Sequence, residues 1–326
     1  MQTRLHWVDV SKGIAFLMVI YSHLEYRNDF LMHFFTPIFL TTFFFVSGYL
    51  FKENAGFKSV FEQRTRTLLL PLLILGMIII ALSQFVTYNE PEPFHRIKAL
   101  LCQTGRNDLW FIAALYVHSL LFYWLMHWSK TAQRLLVVSL LLFVANVAYS
   151  IWLDGFQMPW HITKAGFGCF YMGLGKVYKQ YERQIDAAMS KKVLSVVVVS
   201  YILVLCFYDV PISYGGSRYV IDSLLFTSAG LLICVYVSKL VLHSNRLLLF
   251  TGANTLFYFA FHGKVYSFLQ TVIARCLTVS GIGHTFISDF GLGILITFAD
   301  ALILIPFAML VNKYGPQILG KGFKIY

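Results

Sequence analysis

The sequence predicts an all-α protein that crosses a membrane several times, and three observations support this fold class. Of the 326 residues, 58% are hydrophobic and only 13% are charged, whereas a soluble domain carries about 25% charged residues. The apolar residues fall into about ten stretches of roughly 17–25 residues, the length that a membrane-spanning helix needs. The polar remainder is too short for a separate soluble domain, so we expect residues 1–326 to form one integral-membrane domain.

The predicted helices follow one another in the chain with mostly short polar connections. They run near residues 8–24, 31–51, 67–87, 109–127, 134–153, 164–179, 192–209, 219–241, 247–273 and 289–311. The sixth is short and contains Gly166, Gly168, Gly173 and Gly175. Small residues let neighbouring helices approach closely, so we expect tight packing there.

The distribution of positive charge predicts the orientation of these helices. The net charge is +11, and an even number of crossings places both termini on one side of the membrane. Most of the 26 Lys and Arg residues then fall on that side, which the positive-inside rule assigns to the cytoplasm. Because these charges are spread through short loops, we read them as topological signals and expect no nucleic-acid partner.

The five cysteines give no sign of a metal site or a disulfide framework. They are Cys102, Cys169, Cys206, Cys234 and Cys276. Their number is odd, no Cys-x-x-Cys spacing occurs, and most lie in apolar stretches, where thiols usually serve packing. We therefore predict no bound metal.

The first apolar stretch carries three ionisable residues, which are costly inside a bilayer and often functional. Lys12 and His23 are eleven positions apart, which on a helix is about 16 Å along the axis and within about 20° of one face. Asp9 lies three residues before Lys12 and can pair with it. The arrangement fits either a functional helix face or an ordinary helix with solvated ends.

The second and third stretches carry further polar groups. Ser47 and Gly48 lie in an apolar helix, where Ser47 is either a packing residue or, without a Gly-x-Ser-x-Gly motif around it, an unusual nucleophile. Arg64 and Arg66 precede the third helix. Arginines at a helix start suit an anionic ligand, although they would also anchor a helix at the membrane surface.

Polar residues elsewhere are harder to assign. His262 is either a second catalytic imidazole or a structural residue. Asp300 and Asp222 each either orient a base or make a contact between helices. The loop from Tyr88 to Asp108 either covers an external substrate site or is a simple connector.

Four motifs in order resemble the acyltransferase-3 family of membrane O-acyltransferases. The family has a basic residue separated by ten residues from a histidine in the first helix, as Lys12 and His23 are here. Its Phe-Phe-x-x-Ser-Gly-Tyr/Phe segment is similar to residues 44–49, its arginine loop to residues 64–71, and its Leu-Trp-Phe motif to residues 109–111. The resemblance covers residues 4–116. Residues 31–37 depart from the His-Met-Pro of the sugar-acetylating branch, which leaves the branch open.

This resemblance implies transfer of an acyl group, commonly acetyl, from acetyl-CoA or another acyl-CoA to a hydroxyl group. His23 would act as the base or as the acyl carrier. Lys12 would bind a donor phosphate or stabilise charge, or would simply pair with Asp9 on the same helix. Arg64 and Arg66 would hold the coenzyme A phosphates. Trp110, His262 and Ser47 are weaker candidates for substrate binding.

The resemblance also implies the surroundings in which the protein works. The acceptor would be a sugar in a surface polysaccharide or a glycolipid precursor, and the location a bacterial-type inner membrane with its lipids. The oligomeric state cannot be read from the sequence. A transporter or flippase that makes no bond, or an assembly partner in a polysaccharide synthase, is the rival interpretation, but the halves of the chain show no repeat of the kind common in transporters.

Overall fold

The computed structural model describes residues 5–53, 55–86, 92–104, 109–152, 158–207, 220–280 and 286–322. All regular elements in these ranges are helical. The α-helices are α1 (His6–Ser22), α2 (Asp29–Phe35), α3 (Phe39–Tyr49), α4 (Phe57–Arg64), α5 (Leu70–Val86), α6 (Pro93–Cys102), α7 (Trp110–Ser129), α8 (Ala132–Trp152), α9 (Ala165–Ala188), α10 (Lys191–Phe207), α11 (Val220–Leu240), α12 (Arg246–Ala253), α13 (Thr255–Ser280) and α14 (Phe286–Tyr314). A π-helical turn, Thr65–Leu69, joins α4 to α5, and Pro159–Lys164 and Pro316–Leu319 form 3₁₀ turns.

Helices occur over all ten of the predicted apolar stretches. Within the described ranges, five helical segments are long and apolar enough to cross a membrane, and a sixth is added if the bent pair Pro159–Ala188 and Lys191–Phe207 is one span. The five are Asp29–Tyr49, Phe57–Gln84, Trp110–Ser129, Ala132–Trp152 and Asp289–Tyr314. The chain is therefore a multi-pass helical protein, while the count of ten crossings and the cytoplasmic termini stay predictions.

Two of the predicted apolar stretches each contain two helices, an interruption that the hydropathy of the sequence does not reveal. The second divides into α2 and α3 around Pro37, whose ring removes a backbone donor. The ninth divides into α12 and α13 at Asn254, which ends α12. Asn245 begins α12 with its side chain accepting a hydrogen bond from the backbone N–H of Leu248, the usual role of asparagine at a helix start.

The connection predicted between residues 88 and 108 contains the short helix α6. Residues 87–91 and 105–108 lie outside the described part of the chain, and with them Asp108 of the segment before the Leu-Trp-Phe motif. Arg96 of α6 donates a hydrogen bond to Ser83 in α5. The connector is thus at least partly structured, and its role as a cover for a substrate site stays a prediction.

The chain divides into two compact units. The first consists of Met1–Val46 and Tyr181–Ala308. In this unit α1 packs against α12 backbone to backbone. A Cβ atom at Gly252 would lie 1.7 Å from the carbonyl oxygen of Asp9, and one at Gly13 would lie 2.3 Å from that of Leu248. Both positions therefore require glycine, because any side chain would force the two helices apart.

The second unit consists of Ser47–Gln180 and Met309–Tyr326. Its glycines bring the end of α3 and helix α8 into close contact with α9. A Cβ at Gly48 would lie 1.9 Å from the carbonyl oxygen of Met172, and one at Gly166 would lie 2.2 Å from that of Leu142. Tight packing in the sixth stretch is thereby confirmed at Gly166. Whether the whole chain acts as a single domain stays a prediction.

Candidate functional site

His23 lies at the end of α1 with its ring exposed and its orientation fixed by its own helix. It is the C-cap residue of α1, and its Nδ1 lies 2.8 Å from the carbonyl oxygen of Val19. Because a carbonyl oxygen only accepts, Nδ1 carries the hydrogen and the neutral ring keeps its lone pair on Nε2. An exposed Nε2 with this tautomer can take a proton from a substrate hydroxyl.

The structure brings His262 of α13 next to His23. The two ring centroids are 5.4 Å apart, with the ring planes at 77°. His262 is only 5% exposed, and its Nδ1 donates to the carbonyl oxygen of Tyr258, 2.9 Å away. Both imidazoles are thus held by the carbonyl four residues earlier in the chain. The sequence left His262 as a weak candidate, and only its position in space links it to His23.

Three aromatic rings surround the histidine pair, those of Phe16, Phe259 and Tyr266. The ring of Phe16, two turns before His23 on α1, lies 5.4 Å from that of His262 and 4.8 Å from that of Phe259. The ring of Tyr266 lies 6.2 Å from that of His23. The two contacts of Phe16 are edge to face, and such contacts favour one ring arrangement over others, so His262 has little freedom to turn.

Asp9 and Lys12 form the ion pair that their spacing predicts. Lys12 Nζ lies 2.8 Å from Asp9 Oδ1, and Asp9 is 6% exposed. The backbone of Asp9 is also the surface on which Gly252 rests. The pairing is confirmed, while a part for either residue in catalysis stays a prediction.

The arginine pair belongs to the second unit and lies at an irregular point of the helix. Arg64 ends α4, and Arg66 falls within the π-helical turn Thr65–Leu69. Such turns are rare and often mark functional sites. The Arg64 guanidinium lies 5.5 Å from the centre of the Phe51 ring, and its Nε is buried with no hydrogen-bond partner among the described residues. A desolvated guanidinium with unused donors suits an anion.

The weaker candidates Ser47 and Trp110 also lie in the second unit. The Ser47 hydroxyl is buried and has no hydrogen-bond partner in the described ranges, beside the close contact of Gly48 with Met172. Trp110 begins α7, and Lys164 Nζ lies 4.7 Å from the centre of its ring. Neither contact decides whether these residues bind substrate, so both assignments stay predictions.

A second pair of histidines was not singled out from the sequence. His118 Nε2 donates to the backbone carbonyl of His161 at 3.2 Å, and both residues are buried. Trp160 and His161 have left-handed backbone angles, with φ of 59° and 54°, which are uncommon away from glycine. Pro159 signals a break in the chain but not these angles, so no sequence pattern identifies the pair.

Of the two carboxylates predicted either to orient a base or to join helices, Asp300 and Asp222, the structure describes the side chain of Asp300. Asp300 on α14 is fully buried, and neither of its oxygens has a hydrogen-bond partner among the described residues. The neighbouring Ala301 carbonyl accepts from the Tyr258 hydroxyl at 2.9 Å. The side chain of Asp222 lies outside the described part of the chain. In the ranges that are described, no group of three His, Cys, Asp or Glu residues could hold a metal ion.

These features define a class of protein: a multi-pass helical membrane protein with an exposed, oriented imidazole in one unit and a cationic site in the other. The family model described as an acyltransferase domain, acyltransferase-3, matches residues 5–311. The chain therefore belongs to the acyltransferase-3 family, which confirms the resemblance and extends it over almost the whole chain. No curated protein and no solved structure matches it. The family indicates acyltransferase activity.

Proposed function

We propose that this protein transfers an acyl group, in the simplest case acetyl, from acyl-CoA to a hydroxyl of a sugar in a surface polysaccharide or glycolipid precursor. The bond formed is an ester, and the setting is a bacterial-type inner membrane. The observation that carries the proposal is the state of His23. Its exposed ring donates through Nδ1 to Val19, so that Nε2 is the atom available to a substrate hydroxyl.

The chemistry needs one proton carrier. His23 Nε2 removes the proton from the acceptor hydroxyl as its oxygen attacks the thioester carbonyl carbon. The carbon–sulfur bond then breaks, and the thiolate of coenzyme A leaves with the proton from Nε2. Atoms and charge balance with no further reactant. In the two-step variant Nε2 itself carries the acyl group before the sugar accepts it, and the same orientation of the ring serves both routes.

His262 acts as a positioning residue in this scheme. Its buried ring meets that of His23 with the planes at 77° and limits the directions in which His23 can turn. The Nδ1–H bond to Val19 alone fixes the tautomer but leaves some freedom of tilt. Lys12, paired with Asp9, is assigned to charge stabilisation on the same helix.

Arg64 and Arg66 bind the phosphates of the donor in this proposal. The buried Arg64 Nε without a partner among the described residues supports this role, as does the π-helical turn that presents Arg66. The topology predicted from the sequence, with both termini in the cytoplasm, would put these arginines on the side where acyl-CoA is made.

Calorimetry of acetyl-CoA binding to the detergent-purified protein tests this division of roles. We expect binding to survive in His23→Ala and to weaken at least tenfold when Arg64→Ala and Arg66→Ala are combined. The matched control combines Lys130→Ala with Arg134→Ala, two exposed cations of the same unit, and should bind as the wild type does.

A parallel assay follows the release of the coenzyme A thiol in the presence of surface-polysaccharide sugars. Release that requires His23 supports an acyltransferase. Absence of both binding and release in the wild type would contradict the proposal and favour the transporter or assembly interpretation.

A further inference from the structure

Three cations of the second unit surround the end of α3. Lys176 and Lys179 of α9 and Arg64 of α4 each contact an aromatic residue of the segment Tyr49–Phe51. We call these three residues the basic cluster. Of these three residues, only Arg64 lies in a motif that the sequence singles out, the segment 64–71.

The close contact between α3 and α9 builds this cluster. Gly48 rests on the backbone of Met172, where a Cβ would lie 1.9 Å from the carbonyl oxygen. Lys176 follows Met172 by one helical turn, so its side chain reaches the residues just after Gly48. Its Nζ donates to the carbonyl oxygen of Phe51 at 3.4 Å. Lys179 lies three positions further on and shares a face with it.

Aromatic rings hold the other two cations without using their hydrogen-bond donors. Lys179 Nζ lies 5.3 Å from the centre of the Tyr49 ring, and Arg64 Cζ lies 5.5 Å from that of Phe51. A cation over an aromatic face is attracted by the ring while its N–H groups still point to other partners. The basic cluster therefore keeps donors for an anion.

One anionic oxygen already sits in the cluster. The carboxylate of Glu53 pairs with Lys176, yet the Glu53 side chain is 65% exposed while that of Lys176 is 11% exposed. The pKa of Glu53 is lowered, first by the hydrogen bond from Lys176 and then by its charge. Because the Glu53 carboxylate is on a mostly exposed side chain, it can move aside and let a ligand oxygen take its place on Lys176.

We propose that Lys176 and Lys179 bind the ribose 3′-phosphate of coenzyme A, which displaces Glu53 from Lys176, while Arg64 contacts the pyrophosphate. This inference rests on the proposed donor. A phosphomonoester carries nearly two negative charges at neutral pH, and two adjacent ammonium groups match it. A guanidinium presents a planar fork suited to phosphate diesters. The competing occupant of such a site is the phosphate headgroup of an anionic lipid.

The test compares coenzyme A with 3′-dephospho-coenzyme A by calorimetry on the full chain in nanodiscs of zwitterionic lipid. We expect the wild type to bind coenzyme A at least tenfold more tightly. Lys176→Gln combined with Lys179→Gln should remove that difference and leave the binding of the dephospho form unchanged. Glu53→Gln should tighten coenzyme A severalfold and not the dephospho form. Lys191→Gln with Lys192→Gln, two exposed lysines of α10, is the matched control.

Each other outcome has a definite meaning. Equal affinities of the wild type for the two nucleotides, or a double lysine variant that still discriminates between them, would overturn the inference and leave the proposed function standing. Loss of discrimination when anionic lipid is added to the nanodisc would assign the cluster to a lipid headgroup instead. If the wild type bound neither nucleotide, both this inference and the proposal that acyl-CoA is the donor would be contradicted. The Glu53 side chain is mostly exposed, so Glu53→Gln should fold normally. This variant therefore tests the inference even if the double lysine variant folds poorly.

Discussion

Each unit of the molecule contains a pair of neighbouring histidines, and the two pairs are built in opposite ways. In the first unit His23 and His262 each donate from Nδ1 to the carbonyl four residues earlier, and the rings meet edge to face with His23 exposed. In the second unit His118 donates from Nε2 to the backbone carbonyl of His161, and the two residues are 1% and 6% exposed.

The difference shows what decides whether a histidine has a catalytic or a structural role. A general base must reach the proton that it removes, and the exposed His23 ring offers Nε2 for this purpose. The Nε2 of His118 instead donates to the buried carbonyl of His161, in a turn with left-handed backbone angles, and is not available to a substrate. Buried polar groups that lose their partner are costly, so the second pair is expected to matter for folding, and the first for turnover.

The largest expected effect comes from removing the imidazoles one at a time. His23→Gln should lower acyl transfer by roughly 10²- to 10⁴-fold, the usual contribution of a general base. His161→Gln, in a ring that the proposal does not use, should change transfer by less than about threefold. The rate of coenzyme A thiol release by purified protein measures both.

His243→Ala, an exposed histidine in the turn before α12, is the control and should behave as the wild type does. If His161→Gln lost as much activity as His23→Gln at equal folded content, the division between the two pairs would be wrong.

The reverse order is expected for stability. His118→Ala leaves the His161 carbonyl buried without its donor, which should lower the free energy of unfolding by about 1–3 kcal/mol. His23→Ala changes an exposed side chain and should cost less than about 0.5 kcal/mol. Thermal unfolding in detergent, followed by tryptophan fluorescence, compares the two. A larger loss of stability for His23→Ala would count against a mainly structural role for the second pair.

A smaller effect sharpens the comparison within α1 itself. Asp9 and Lys12 are paired at 2.8 Å, so Asp9→Asn and Lys12→Met should not act independently. We expect a coupling energy of about 0.5–3 kcal/mol from the double-mutant cycle on unfolding. Thiol release is measured on the same four proteins. Activity that falls in Lys12→Met beyond the loss of folded protein supports charge stabilisation by Lys12, whereas additive stabilities would show that the pair contributes no coupling.

The smallest expected effect is the pH dependence that comes from Glu53. Its pKa lies below the ordinary value of 4.5 because Lys176 stabilises the carboxylate. A lowered pKa means that this contribution to stability is fully present above about pH 4.5 and is lost as the pH falls through the folded-state pKa. Glu53→Gln should therefore flatten the acid side of the stability profile slightly and leave stability near pH 7 almost unchanged. Unfolding midpoints between pH 3 and pH 7 measure it, and an increased acid dependence in the variant would have the wrong sign.

Some of the fold and site follows from local spacing and could be predicted from the sequence. Hydropathy locates the helical stretches, and the i,i+3 spacing gives the pairing of Asp9 with Lys12. The motifs in residues 4–116 indicate the family. Each of these depends on residues that are close in sequence, for which helix geometry supplies the three-dimensional relation directly.

The rest depends on contacts between distant segments or on single backbone angles. Nothing in the pattern around His262 predicts that α13 would bring it to His23. Lys176 and Lys179 gain meaning only because Gly48 places the end of α3 against α9. The left-handed angles at Trp160 and His161 are set by tertiary packing, because local preference for these residue types disfavours them.

The close packing of α12 against Gly13 and Asp9 also constrains the length of α1 between this contact and His23. With Gly13 fixed against the Leu248 carbonyl, the number of residues between Gly13 and His23 sets both the height and the direction of the imidazole. One residue inserted there would raise His23 by about 1.5 Å and rotate it by about 100°, away from His262. Seven residues would restore the direction but lift the ring by about 10 Å. The helix should therefore tolerate changes of side chain on its outer faces far better than any change in its count of residues.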